Sequence, residues 1–122
     1  MNALRRVHRS LVPGGRLVDI HPVAPALRAE AGGRVLGSFE GSQFLSDVAA
    51  AEAHIEDTGL WKLETEARFD VIQRCESGEE AVVYARDYGG YTVPDELARR
   101  VRAVPPPVDV REFAVVRRFR AR

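Results

Sequence analysis

The stretch that most constrains this chain is Leu4–Pro22, LRRVHRSLVPGGRLVDIHP. Leu4, Val7, His8 and Leu11 recur at i, i+3, i+4 and i+7, with Arg5, Arg6 and Arg9 on the opposite side, so the spacing predicts an amphipathic helix. Pro13 cannot continue that helix, and Gly14-Gly15 supplies the tight conformations that reverse the chain. Arg16–Ile20 follows as a short apolar run, the kind of strand that an α/β sheet buries. A helix that turns at once into a buried strand calls for helices layered on a sheet.

The rest of the chain supplies more of both. His21–Gly33, HPVAPALRAEAGG, reads as a loop, because Pro22 and Pro25 keep the residues before them out of the helical region. It leaves the predicted strand at its carboxyl end, where α/β proteins build ligand sites. Arg34–Phe39 and Gln43–Leu45 read as a small hairpin around Glu40-Gly41-Ser42. Ser46 or Asp47 then caps a helix running to Thr58, with Gly59 beyond its end. Its stripe is thin: Val48, Ala51, Glu52 and Ile55, followed by Leu60 and Trp61 as anchors.

Lys62–Gln73 alternates as a strand, with Leu63, Thr65, Ala67, Phe69 and Val71 on one face and Glu64, Glu66, Arg68 and Asp70 on the other. One polar face predicts antiparallel pairing and partial exposure. Ser77-Gly78-Glu79-Glu80 is a capping box that opens a helix to Tyr88, closed by Gly89-Gly90. Pro94 opens another short helix with acids in its first turn. Pro105-Pro106-Pro107 forbids its continuation. Val108–Phe119 is a final long strand, for which Phe113, Val115 and Phe119 are expected to point inward.

With 122 residues the chain is most simply one domain, 1–122, able to build a modest core. No stretch is apolar enough for a membrane span, and the basic, amphipathic N-terminus is not a signal peptide. Cys75 is the single cysteine, so no intramolecular disulfide can form, which suits a reducing cytoplasm. Eighteen basic residues balance eighteen acidic ones, so there is no general nucleic-acid footprint.

The residues Leu11, Pro13, Gly14, Gly15, Arg16, Leu17 and Val18, with the helix before them, resemble the second half of a class I S-adenosylmethionine-dependent methyltransferase of the type 11-like kind. In that family a helix ends in Pro-Gly-Gly and feeds the fifth strand of the sheet. The resemblance covers most of the chain and implies an α/β or α+β fold: the C-terminal half of a Rossmann-like sheet. It implies three main strands, the last two antiparallel, with Val108–Phe119 beside Arg16–Ile20, plus a small hairpin and flanking helices. It also implies methyl transfer from S-adenosylmethionine to a small-molecule substrate. The family's cofactor turn follows its first strand. Here Gly32-Gly33 follows a loop, Gly89-Gly90 a helix, and Gly14-Gly15 precedes its strand, so no cofactor-binding residue is assigned. The chain is therefore expected not to hold S-adenosylmethionine unaided. A partner or upstream sequence would complete it, and Met1 would be an internal start. Without a fourth-strand neighbour, Arg16–Ile20 keeps an open edge, which predicts a homodimer or a heteromeric complex.

His21 leads the candidate site residues. It ends the anchor strand, Asp19 precedes it on the same face, and Pro22 follows. It serves either as a base or substrate-orienting group, or as a strand-end residue bonding the loop. No catalytic or metal-binding residue is assigned. His8 lies on an apolar stripe and reads as a packing residue. His54, beside Glu52, Glu56 and Asp57, lacks a second His at metal spacing. Cys75 precedes a helix cap, which would acidify its thiol. Tyr84, Tyr88, Tyr91 and Trp61 either line an aromatic pocket or pack helices. Arg111, Arg117, Arg118, Arg120 and Arg122 read as a solvated strand edge. Two other readings stand beside methyl transfer: a non-catalytic dimeric binding module of the same fold, and an unrelated α+β ligand-binding domain.

Overall fold

The computed structural model describes residues 2–122, and they form four helices and a five-stranded, wholly antiparallel open sheet. In chain order these are α1 (Asn2–Ser10), β1 (Arg16–Pro22), β2 (Arg28–Ala31), β3 (Arg34–Ser38), α2 (Ser42–Asp57), β4 (Trp61–Cys75), α3 (Gly78–Tyr88), α4 (Asp95–Ala103) and β5 (Val108–Ala121). No helix among the described residues is long and apolar enough to cross a membrane.

The sheet is built on β5. Along one side it pairs with the whole of β4, from Trp61↔Ala121 to Cys75↔Val108. Its other side is shared: β1 takes Ala114–Arg120, and β2 takes Asp109–Arg111 with β3 beyond it. Among the described residues the outer edge of β1 has no strand partner, and neither has that of β4. The charges along β4 (Lys62, Glu64, Glu66, Arg68, Asp70) discourage edge pairing there.

Because β5 alternates, its two halves bury opposite faces. Val108 and Val110 enter one core with Cys75, Ala81, Val82, Leu97 and Val101, under α3 and α4. Phe119 enters a second core on the other face with Trp61, Ile55, Leu4, Leu11 and Leu17, under α1 and α2. The expected inward trio is thus half of the answer. Val115 and Phe119 are buried, Phe113 is only partly so, and Val108, Val110 and Ala114 are buried on the opposite face.

Three expectations are corrected. The hairpin is β2–β3, turning at Gly32-Gly33, whose positive φ values (58° and 75°) suit a two-residue turn that twists with its strands. Residues 28–31 are accordingly strand rather than loop, and Gln43–Leu45 belongs to α2. That helix begins at Ser42, where the Glu40 carboxylate accepts from the Ser42 N–H and hydroxyl, so its start precedes Ser46. In β4 a bulge between Leu63 and Thr65 reverses the alternation. Leu63 therefore joins Phe119 in the second core, while Thr65, Ala67, Phe69 and Val71 lie on the opposite face, largely exposed.

Candidate functional site

Strand alternation places Leu17, Asp19 and His21 on the α2 side of β1, opposite Phe119, Arg117 and Val115 of β5. Glu52 reaches the same place from α2. His21 Nδ1 lies 2.6 Å from Asp19 Oδ2 and 3.4 Å from Glu52 Oε2. His21 and Glu52 are each only 8% exposed. In the neutral imidazole Nδ1 donates to Asp19, which fixes the ring.

Arg117 completes the group incompletely. Its Nη1 stands 3.8 Å from Glu52 Oε2 and its Nε 3.4 Å from Glu66 Oε2. Glu52 Oε2 and Arg117 Nε are both buried, and both lack a hydrogen-bond partner among the described residues. Burial, then the hydrogen bond and charge of Asp19, push the Glu52 carboxyl up to about 7, while Arg117 pulls the other way. The Glu52 carboxyl thus titrates near neutral pH, and the cluster around it holds unspent bonding capacity.

It forms the polar floor of a cleft of about 820 Å³, within the usual size of small-molecule sites. Pro22, Val23, Ala24, Ala26, Phe39 and Pro94 contribute to its apolar lining, together with Leu45, Ala49 and Ala53 of α2. Gly41, the N-cap of α2, lines it too and packs on the Tyr91 ring, where a Cβ would collide. The lining is mixed: Ser38, Glu40, Ser42, Ser46 and Glu56 add polar groups to it, and His21 and Glu52 are its buried titratable side chains.

Of the three candidate residues, His21 and Pro22 line this cleft, and Asp19 does not line it but bonds His21. Sequence reasoning missed Glu52 and Arg117 as members. Both carried a signal: Glu52 lies on the apolar stripe of α2, and Arg117 falls in phase with Val115 and Phe119. A charge on a buried face needs a reason.

The other candidates lie elsewhere. His8 stacks edge-on against Trp61 at 5.3 Å, and its Nε2 is 3.0 Å from the Arg122 carbonyl. His54 belongs to no group of converging metal-ligating atoms among the described residues. Cys75 is buried, and burial followed by Glu80, Asp109 and Glu76 raises its thiol pKa, opposite to the acidification expected from a helix cap. Tyr84, Tyr88 and Tyr91 pack with Phe44 in edge-to-face pairs beside the first core, and Trp61 is in the second. Arg118 and Arg120 converge with Arg16 on Glu64, and Arg111 binds Glu30 and Asp70. Known protein families, curated proteins and solved structures include none that matches this chain.

Proposed function

We propose that this chain is the acceptor side of a small-molecule methyltransferase of the class I S-adenosylmethionine-dependent kind, holding its acceptor in the cleft above His21. The observation that carries this reading is the strand order. β5 runs antiparallel between β1 and β4, the arrangement implied by the family that Leu11–Val18 resembles. The cleft opens at the carboxyl end of β1, at His21 and Pro22. Methyl transfer is an in-line displacement, so the acceptor side acts by fixing one nucleophilic atom in the path of the methyl group. The apolar part of the lining holds the body of the acceptor, and His21, locked by Asp19, orients its polar end. S-adenosylmethionine is the methyl donor in this reading. Its binding residues belong to a partner or to sequence outside these residues.

The test uses the native protein isolated from its host with its bound partners, supplied with methyl-labelled S-adenosylmethionine and a small-molecule extract. Label is expected in the small-molecule fraction, and His21→Ala lowers the rate about 100-fold through lost positioning. No transfer by the wild type ends the enzyme reading.

A second reading, a non-catalytic dimeric binding module, is favoured by one feature. The outer edge of β1 is unpaired among the described residues, and Val18 and Ile20 beside it are 60% and 63% exposed. Light scattering would then give twice the chain mass of 13.5 kDa, and Val18→Lys with Ile20→Lys would return the monomer. A monomer at all concentrations removes self-association by this edge.

A further inference from the structure

We propose that Asp19, His21 and Glu52 form a site for one divalent transition-metal ion, of the Mn²⁺, Fe²⁺ or Zn²⁺ class, at the floor of the cleft. Each residue offers one donor atom, and the three atoms lie within 4.8 Å of one another. Metal–ligand bonds to imidazole nitrogen and carboxylate oxygen are about 2 Å long, so donors around one ion stand about 3–4 Å apart. The Nδ1–Oε2 separation of 3.4 Å already meets that. The Nδ1–Oδ2 pair, a hydrogen bond at 2.6 Å, must open slightly as the ion replaces the hydrogen between them.

A second observation is independent of this convergence. Glu52 is 92% buried, as its 8% exposure leaves, and when the carboxylate is ionised its Oε2, aimed at His21, has no hydrogen-bond donor among the described residues. Among the described residues the one cation beside it is Arg117, 3.8 Å away and beyond hydrogen-bond reach. Two carboxylates packed on one imidazole and facing one distant guanidinium are short of positive charge where their donor atoms meet. A small divalent ion supplies it at the distances present.

The donor set selects the ion. One nitrogen and two carboxylate oxygens suit borderline first-row divalent ions rather than Ca²⁺, which prefers all-oxygen shells, or Cu⁺, which prefers sulfur. On binding, Nδ1 gives up its hydrogen, and the ring keeps one on Nε2. Three protein ligands leave positions open toward the cleft for water or a ligand heteroatom. The site goes beyond the methyl-transfer reading and stands if that reading fails.

The experiment titrates chelator-stripped full chain with MnCl₂, following free Mn²⁺ by electron paramagnetic resonance, and with ZnCl₂ by calorimetry. One ion per chain is expected, with Glu52→Gln and Asp19→Asn each weakening binding at least about tenfold. Mn²⁺ should also broaden the His21 imidazole signals of the wild type before those of His8 and His54, which locates the ion without any variant. Failure of both ions to bind the wild type at millimolar concentration overturns the site and leaves a proton as the occupant. So does binding that survives both substitutions, or broadening centred on His8 or His54.

Discussion

Arg111 and Arg117 project from the same face of β5 toward carboxylates on neighbouring elements, yet they end in opposite states. Arg111 uses every guanidinium nitrogen: Nε and Nη2 reach Glu30 at 2.9 and 3.2 Å, and Nη1 reaches Asp70 at 2.7 Å. Glu30 is also bonded by Arg28 at 2.6 Å, and Arg28 lies over the Phe113 ring. Arg117 stands among Glu52 and Glu66 at 3.8 and 3.4 Å, and its buried Nε bonds nothing. The first is a closed network, in which all three guanidinium nitrogens and both Glu30 oxygens are bonded. The second is left open beneath a cleft, and unsatisfied buried groups in a native fold mark places shaped for something else.

The largest effect that sharpens this contrast comes from Glu52→Gln in metal-free protein. The folded pKa of about 7 lies above the ordinary 4.5. The folded chain thus holds a proton that the unfolded chain has released, and stability falls as pH rises from 4.5 to 7, then levels off. Glutamine removes that cost, so the variant is expected to be about 1–2 kcal/mol more stable than wild type at pH 8 and no more stable at pH 4. Urea unfolding at both values measures it. An equal change at both pH values would show that packing, not charge, governs the position.

Next come the two arginines. Arg111→Met strips three charge-assisted hydrogen bonds from Glu30 and Asp70, so its urea midpoint should drop, by less than Glu52→Gln raises it. Arg117→Met removes no hydrogen bond, so its midpoint should stay near wild type, while the Glu52 carboxyl, freed from its one lowering charge, titrates higher. If the Arg117 variant loses as much as the Arg111 variant, the two networks are alike and the contrast fails.

How much of this was legible beforehand follows from locality. The helix, Pro-Gly-Gly turn and strand at Leu4–Ile20, the alternation of β5 and of β4 beyond Thr65, and the capping box at Ser77, whose hydroxyl accepts from the Glu80 N–H at 3.1 Å, are all decided within a few residues; the burial expected of that first strand is not, since Val18 and Ile20 are exposed. The two-faced burial of β5 is not, because it depends on α3 and α4 covering one end and α1 and α2 the other. The bulge at Glu64 was hidden for a related reason. Three arginines from two strands, Arg16, Arg118 and Arg120, gather on that one carboxylate, and only register brings them together. Asp19 and His21 were readable as a pair on one strand, whereas Glu52 entered the site from a helix that local pattern could not orient.

The last effect concerns Glu30 and runs against that of Glu52 in sign. Hydrogen bonding from Arg111, ahead of that from Arg28, holds the Glu30 carboxyl below its ordinary value. Its folded pKa is therefore the lower one, so its contribution is present above the unfolded value of 4.5 and is lost as pH falls through the folded value. Solvent reaches this face, and screening keeps the contribution below about 1 kcal/mol. Wild-type stability should thus decline on both sides of a maximum near pH 4.5–5, through Glu30 and its like below and through Glu52 above. In Glu30→Gln the acid limb should flatten while the limb between pH 5 and 7 stays unchanged, and in Glu52→Gln the reverse should hold. Because the two carboxylates share no contact, the double variant should show the sum of both changes. A cross-term well outside about 0.5 kcal/mol would mean that strand β5 couples the closed network to the open one, and the two arginines would then have to be treated as ends of a single device.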